Sequence, residues 1–121
     1  MFGNMGQMLS MLGNVGKVRE MMEKVSQQLK EMRLTGSAGG GMVEVDVSGA
    51  REPLACRIAP AMFTDPDREM IEDLVTSAMV DAMNRATETQ RRLITDAAGE
   101  LGIPGLADMI GNAGFPGIPG M

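Results

Sequence analysis

The chain has 121 residues and a net charge of −5, and it contains one Cys, three Phe and no His, Trp or Tyr. Without His a thiol or hydroxyl nucleophile lacks its usual base, and one Cys allows no internal disulfide, so the composition predicts a non-enzyme without cofactor or metal. The acidic balance opposes charge-driven binding to nucleic acid, but it does not exclude a local basic surface.

Apolar residues recur at alternating steps of three and four through the first third of the chain. This heptad spacing predicts a helix over about residues 8–33, whose apolar seam requires a second helical surface to cover it. Residues 1–34 form the only segment with a net positive charge, with five basic and three acidic side chains. The seam consists of Met8, Met11, Val15, Val18, Met22, Val25, Leu29 and Met32.

Strand alternation follows the Gly-rich segment at residues 36–41. Val43, Val45 and Val47 alternate with polar residues, which predicts a strand with one buried face. A strand, and no Gly-Lys-Ser/Thr motif, follows the glycines, so they are interpreted as a turn rather than as a phosphate-binding loop.

Two further strands complete the predicted sheet. Residues 54–58 alternate again after a turn at residues 48–51, and residues 33–38 are predicted to pair as a third antiparallel strand. On this pattern Cys56 should be a small buried hydrophobic residue. Glu44 and Asp46 should lie on a solvated outer face, because they lack the further oxygen ligands of a cation site.

A second long helix is predicted from about residue 66 to residue 98. Capping side chains and Pro66 in residues 64–67 mark its start, and Gly99 is expected to end it. Residues 99–121 are rich in Gly and Pro and are predicted to form a flexible tail after a domain of residues 1–98. The apolar stripe of this helix is Ile71, Val75, Ala78, Ala82, Ala86 and Leu93.

The predicted fold is therefore α+β, with a long N-terminal helix, a small three-stranded antiparallel sheet and a long C-terminal helix. Both helices are too long for short strands to cover, so their ends should extend past the sheet. A chain this small with a long tail favours a core shared in a homodimer. The predicted dimer or core positions are Val15, Val18, Met22, Val25, Leu29, Val43, Val45, Val47, Ile71 and Val75.

The order of several short segments matches a known family. These segments are residues 35–41, 43–49, 58–60 and 69–75, followed by Ala78, Asp81 and Ala82. Over residues 1–98 the chain resembles the YbaB/EbfC family of bacterial nucleoid-associated DNA-binding proteins. The resemblance implies a tweezer-like homodimer in which helical arms project from a central body and grip duplex DNA, with effects on nucleoid organisation and gene expression. The DNA-binding positions that it implies are Lys17, Arg19 and Lys24 on the first helix and Arg85, Arg91 and Arg92 on the second.

The expected location is the cytoplasm, in the nucleoid. No stretch approaches about 18 consecutive apolar residues, so no membrane span or membrane partner is predicted, and Met1 is not followed by a secretory signal pattern. The expected partners are duplex DNA, a second copy of the chain, and other nucleoid, replication or recombination proteins.

Each interpretation has an alternative. Arg91 and Arg92 are also explained as solvated charges near a helix C-terminus. The many Met residues allow a second function, an adaptor or chaperone-like protein that binds apolar protein segments, with DNA contact secondary. The residues of this Met-rich surface are Met8, Met11, Met21, Met22, Met32, Met109 and Met121.

Overall fold

The computed structural model describes residues 13–103 together with residues 105 and 106. Predictions for residues 1–12, including Met8 and Met11, and for the tail beyond residue 106 lie outside this part. The described elements run in the order α1 (Val15–Glu31), β1 (Arg33–Ala38), β2 (Val43–Ser48), β3 (Pro53–Ile58), a 3₁₀ helix (Pro60–Phe63) and α2 (Arg68–Leu101). This order confirms the predicted α+β fold. No helix of the described residues is long and apolar enough to cross a membrane.

The three strands form an antiparallel sheet with β2 in the centre. Val43, Val45 and Val47 are buried, and they share a cluster with three alanines of α2. The residues that pair with them on β1 are Ala38, Gly36 and Leu34. The alternation read from the sequence therefore gives the face of the sheet that α2 covers.

Gly36 allows α2 to approach β1 at backbone distance. A Cβ atom at Gly36 would overlap the backbone nitrogen of Ala82 and the carbonyl oxygen of Ala78. Because these atoms belong to a helical backbone, no rotamer change could relieve the overlap. Glycine on the strand and alanine on the helix are both required for this close packing.

One stripe of buried residues runs along α2 at a constant spacing of four. It consists of Ala78, Ala82, Ala86, Gln90, Ile94 and Ala98. A spacing of four exceeds the helical period, so the stripe turns around the helix by about 40° at each step. The first half of α2 therefore faces the sheet and the second half faces α1, which produces two separate apolar clusters.

The ends of α2 differ from the predicted ends. The helix begins at Arg68, because the Asp67 side chain accepts a hydrogen bond from the Met70 backbone N–H at 3.1 Å. It continues through Gly99 and ends at Leu101, because Gly102 adopts the left-handed conformation with φ of 66°. The predicted end at residue 98 was wrong by one helical turn.

Two predictions about individual strand residues were also wrong. Cys56 is exposed, because α2 lies over β1 and β2 and leaves β3 largely uncovered. Asp46 is only 2% exposed, although it lies on the face of the sheet away from α2. Arginine side chains from the two neighbouring strands cover it.

Asp46 is the centre of a polar cluster on this outer face. Its carboxylate accepts hydrogen bonds from Nη1 and Nη2 of Arg57 at 2.7 and 2.8 Å, and from Nε of Arg33 at 2.8 Å. The Thr35 hydroxyl donates a further bond at 2.9 Å. Bonds from Arg57, Arg33 and Thr35, in that order, hold the pKa of Asp46 far below its ordinary value.

We predict that Asp46→Asn lowers the melting temperature most at neutral pH. A lowered folded-state pKa stabilises the fold above the unfolded aspartate pKa of about 4, and this contribution disappears as the pH falls towards the folded-state pKa. Thermal unfolding at about pH 7 and about pH 2.5 measures the effect, and the difference between wild type and variant should shrink at the lower pH. Glu44→Gln on the same strand is the control: Glu44 also pairs with Arg57, at 3.6 Å, but its side chain is 42% exposed to solvent, so its loss should change little. An equal difference at both pH values would contradict the assignment.

We also predict that Gly36→Ala lowers the free energy of unfolding by at least about 2 kcal/mol, because the added methyl group forces α2 away from β1. Urea unfolding measures this change. Gly99→Ala is the control, since a Cβ at this helical glycine meets nothing within 4 Å. That variant should gain up to about 1 kcal/mol from helix propensity. Equal stability of the Gly36 variant and the wild type would contradict the close approach.

Candidate nucleic-acid interface

The two helices pack against each other beside the sheet. Met21, Val25 and Leu29 of α1 form a buried cluster with Ile94 and Ala98 of α2. Leu106, after the chain has left α2, closes the same cluster. We call α1 together with residues 88–101 of α2 the helical pair, and we call the sheet with the rest of α2 the body.

The predicted seam residues lie at different depths. Met21 occupies the contact with α2, although it was not assigned to the seam, and Val15 is 49% exposed at the start of α1. Among the predicted dimer or core positions, the buried ones are Val25, Leu29, Val43, Val45 and Val47. The half-buried ones are Val18, Met22, Ile71 and Val75.

Lys17 and Lys24 share one face of α1, because seven residues complete about two helical turns. Both line a groove of about 310 Å³ between α1 and the end of α2, with Met21 and Leu101 among the other lining residues. Glu20 and Glu100 also line this groove, so its charge is mixed.

Arg19 and Lys30 lie on another face of α1. Arg19 is two residues from Lys17, which places it about 200° around the helix, and Lys30 follows Arg19 by about three turns. Both side chains are exposed. The structure therefore divides the basic residues of α1 between the groove and the outer face. Lys30 was not among the predicted DNA-binding positions, although its spacing from Arg19 of about three helical turns places both residues on one face of α1.

Arg85 and Arg91 are held in ion pairs along α2. Arg85 bonds Asp81 at 3.2 Å, and Asp81 also accepts a hydrogen bond from the Ser37 backbone N–H at 3.0 Å. Arg85 is thereby tied to the body rather than to the helical pair. Arg91 donates to both carboxylate oxygens of Glu88, at 2.8 and 3.1 Å.

These pairs shift the pKa values of their acidic partners. The Ser37 N–H and then Arg85 lower the pKa of Asp81, and Arg91 lowers the pKa of Glu88 with a smaller contribution from Arg92. Both carboxyl groups consequently stay ionised at neutral pH. Their charges offset those of Arg85 and Arg91 close to the helix surface.

Other cations of the described helical pair have no ion pair. Arg92 is exposed and lies about 200° around α2 from the buried Ile94. Within residues 13–103 no salt bridge involves the members of this group, which are Lys17, Arg19, Lys24, Lys30 and Arg92. Arg92 thus differs from its neighbour Arg91, which is paired with Glu88.

The helical pair as a whole is close to neutral. α1 carries four basic and three acidic side chains, and residues 88–101 carry two basic and three acidic ones. Attraction of an anionic polymer therefore depends on where the cations lie rather than on a net field. In the described part of the chain, no three His, Cys, Asp or Glu side chains are grouped as a metal site would require.

The described part of the Met-rich surface is largely taken up by packing within the helical pair. Met21 is buried in the helical pair, and Met22 and Met32 pack against the same cluster. The remaining members of that predicted surface, at positions 8, 11, 109 and 121, lie outside the described residues. The adaptor hypothesis is therefore not favoured.

Comparison with known proteins gives concordant results. The profile of the YbaB/EbfC DNA-binding family matches residues 5–101. A nucleoid-associated protein of Synechococcus sp. (strain JA-3-3Ab) is 34% identical over 105 residues, covering 87% of this chain and 94% of that protein. One from Desulfotalea psychrophila is 37% identical over 89 residues, covering 74% of this chain and 84% of that protein.

A solved structure has a similar fold. The crystal structure of an uncharacterized protein from Helicobacter pylori matches with a TM-score of 0.63 and 22% sequence identity. The match covers 71% of this chain and 90% of that one. At this identity the likeness concerns the fold alone.

Proposed function

Because this chain belongs to the YbaB/EbfC DNA-binding family, we propose that it is a homodimer whose two helical pairs act as arms that hold duplex DNA in the nucleoid. The family is a DNA-binding family and not an enzyme family, which confirms the prediction of a non-enzyme. Through this binding the protein would influence nucleoid organisation and gene expression. We assign dimerisation and DNA binding to the domain predicted over residues 1–98 and extend it to Leu106, because α2 continues to Leu101 and Leu106 packs in the cluster of the helical pair. Only the part of the predicted tail (residues 99–121) that follows Leu106 would then be an appended segment.

The observation that carries this proposal is the set of exposed cations without ion pairs on the helical pair. Lys17, Lys24 and Arg92 form no ion pair within the described residues, although Arg92 lies near enough to Glu88 to contribute to its lowered pKa. A phosphate group supplies the missing partner, and release of counterions makes this contact favourable. Arg19 and Lys30 would add contacts from the outer face of α1. Arg85 and Arg91 must first give up a carboxylate, so we propose secondary roles for them.

The exposed apolar side chains favour the body as the dimer contact. Among residues 13–103, 105 and 106, six large hydrophobic residues are exposed, and of these only Val15 belongs to the helical pair. The other five are Leu54, Phe63, Met70, Met79 and Val80. Met70 and Met79 are nine residues apart and so lie on opposite sides of α2, whereas Leu54 lies on β3, which α2 leaves largely open. A second copy of the chain placed over β3 would remove Leu54 from water. Both helical pairs would stay free, and their sparse cations would be doubled.

Specificity would come from the shape of the duplex. Phosphate contacts fix the position and orientation of a protein on DNA but carry no sequence information. The described helical pair has both of its helices packed against each other. We therefore propose that the distance between the two arms selects duplexes by groove width and deformability.

We predict that Arg92→Gln weakens duplex binding and reduces its dependence on salt. Each phosphate contact contributes about 0.9 to the slope of log affinity against log salt, so the dimer should lose about 1.8. Fluorescence anisotropy of a labelled duplex across a salt series measures the slope.

Arg68→Gln is the matched control for this measurement. Arg68 is also exposed, but it lies at the opposite end of α2 and pairs with Glu72. Its loss should leave the salt slope unchanged. Equal slopes for the wild type and the Arg92 variant would remove Arg92 from the interface.

We predict that Cys56→Lys converts the dimer into monomers, because a buried ammonium group in an apolar contact is costly. Sedimentation velocity over a concentration series measures the dissociation. Glu23→Lys on the outer face of α1 also introduces a lysine, with a larger charge change of +2 against +1, and should leave the dimer intact. A Cys56→Lys protein that sediments as the wild type does would place the contact elsewhere.

A further inference from the structure

The joint between the body and the helical pair contains one buried amide. Gln90 is 0% exposed, and its Nε2 donates a hydrogen bond to the carbonyl oxygen of Gly49 at 2.8 Å. Its Oε1 is also buried and has no hydrogen-bond partner. A buried acceptor without a partner is destabilising and rare in native proteins, so this side chain requires an explanation.

Gly49 lies in the turn between β2 and β3, against the end of α1. A Cβ atom at Gly49 would lie 2.8 Å from the Leu29 carbonyl oxygen and 2.9 Å from Leu29 Cδ2. The turn itself is fixed, because the Ser48 hydroxyl accepts hydrogen bonds from two following backbone N–H groups, both at 3.1 Å. The sheet, α1 and α2 therefore meet at Gly49, Leu29 and Gln90.

Gln90 also marks the boundary between the two apolar clusters. Ala86, one step before it on the buried stripe, belongs to the sheet cluster, and Ile94, one step after it, belongs to the cluster of the helical pair. Gln90 is the one polar member of that stripe. An apolar side chain of similar length would fill the position without an unpaired oxygen. What the amide adds is a directional bond from α2 to the sheet.

We propose that Gln90 is a positioning residue whose bond to Gly49 fixes the angle between the helical pair and the body. This inference rests on the proposed function, since that angle sets the distance between the two arms that hold the duplex. A small change in this angle produces a large displacement, because α1 is long. α1 is 17 residues long, or about 25 Å, so a rotation of about 10° at the joint moves its far end by about 4 Å. A charge-assisted hydrogen bond to phosphate, with a length near 2.8 Å, does not survive such a displacement.

The test replaces Gln90 with Met, which keeps the length of the side chain and removes both amide atoms. Spin labels at Glu23→Cys on α1 and at Thr76→Cys, an exposed position of α2 within the body, in a Cys56→Ser background, report the angle as a distance. Each labelled protein is diluted with unlabelled protein, so that pulsed electron resonance measures the distance within one protomer. Thr87→Val is the matched control, because Thr87 bonds only the Met83 carbonyl of its own helix.

We expect the Gln90→Met variant to show a shifted or broadened distribution of distances between the two spin labels. Its affinity for duplex DNA should fall about tenfold, which corresponds to the loss of about one hydrogen bond between the protein and a phosphate group. The control should match the wild type in both measurements. If the Met variant does not fold, as circular dichroism would show, Gln90→Leu replaces it.

An unchanged distance distribution would overturn the role of Gln90. A changed distribution with unchanged binding would show that the angle does not determine affinity, and would overturn the link to DNA. Absence of binding by the wild-type protein would instead refute the proposed function, because the distance measurement requires neither DNA nor a dimer.

Discussion

The backbone contact between α2 and β1 at Gly36 determines where the other elements lie. Because Ala78 and Ala82 rest directly on the strand, α2 cannot slide or rotate over the sheet without a steric clash. The rest of the helix continues from this contact, and on our proposal the Gln90 bond to Gly49 holds its second half at a fixed angle to the sheet. Its buried stripe turns slowly towards α1, so one continuous helix belongs to the sheet at one end and to the helical pair at the other.

This arrangement explains how an acidic chain can belong to a DNA-binding family. The acidic residues 65, 67, 69, 72 and 73 lie near the start of α2, at the end of the body, whereas the unpaired cations lie on the helical pair. If the second group holds DNA as we propose, distance and screening reduce the repulsion between the DNA and the first group. The net charge of the whole molecule is then a poor guide to whether it binds a polyanion, because the positions of single cations determine this.

Much of the fold could be predicted from the sequence, because the determinants are local. The period of two over residues 43–48 and the heptad spacing of α1 are independent of the rest of the chain, and both elements were predicted. The family resemblance, which rests on the same patterns, is confirmed by the profile match over residues 5–101. The C-terminal end of α2 was misplaced because Gly99 and Gly102 are equally plausible positions for the helix to end until the backbone conformation is known.

The predictions that were wrong concern properties that depend on tertiary contacts. Alternation places Cys56 and Asp46 on opposite faces of the sheet, but it does not reveal that α2 stops short of β3 or that two arginines cover the outer face. The pairing of Arg91 with Glu88 was readable from their spacing of three. The role that we propose for Gln90 was not readable, since a glutamine within a helix has no distinctive pattern.

A continuous α2 also restricts how such proteins can change in length during evolution. One residue inserted after Ala86 would rotate everything beyond it by about 100° and turn Ile94 away from α1. An insertion of seven residues would lengthen the helix by about 10 Å while changing its phase by only about 20°. Tolerated insertions and deletions in this helix should therefore be close to whole numbers of turns, such as about seven, eleven or eighteen residues, and the reach of the molecule should vary in discrete steps.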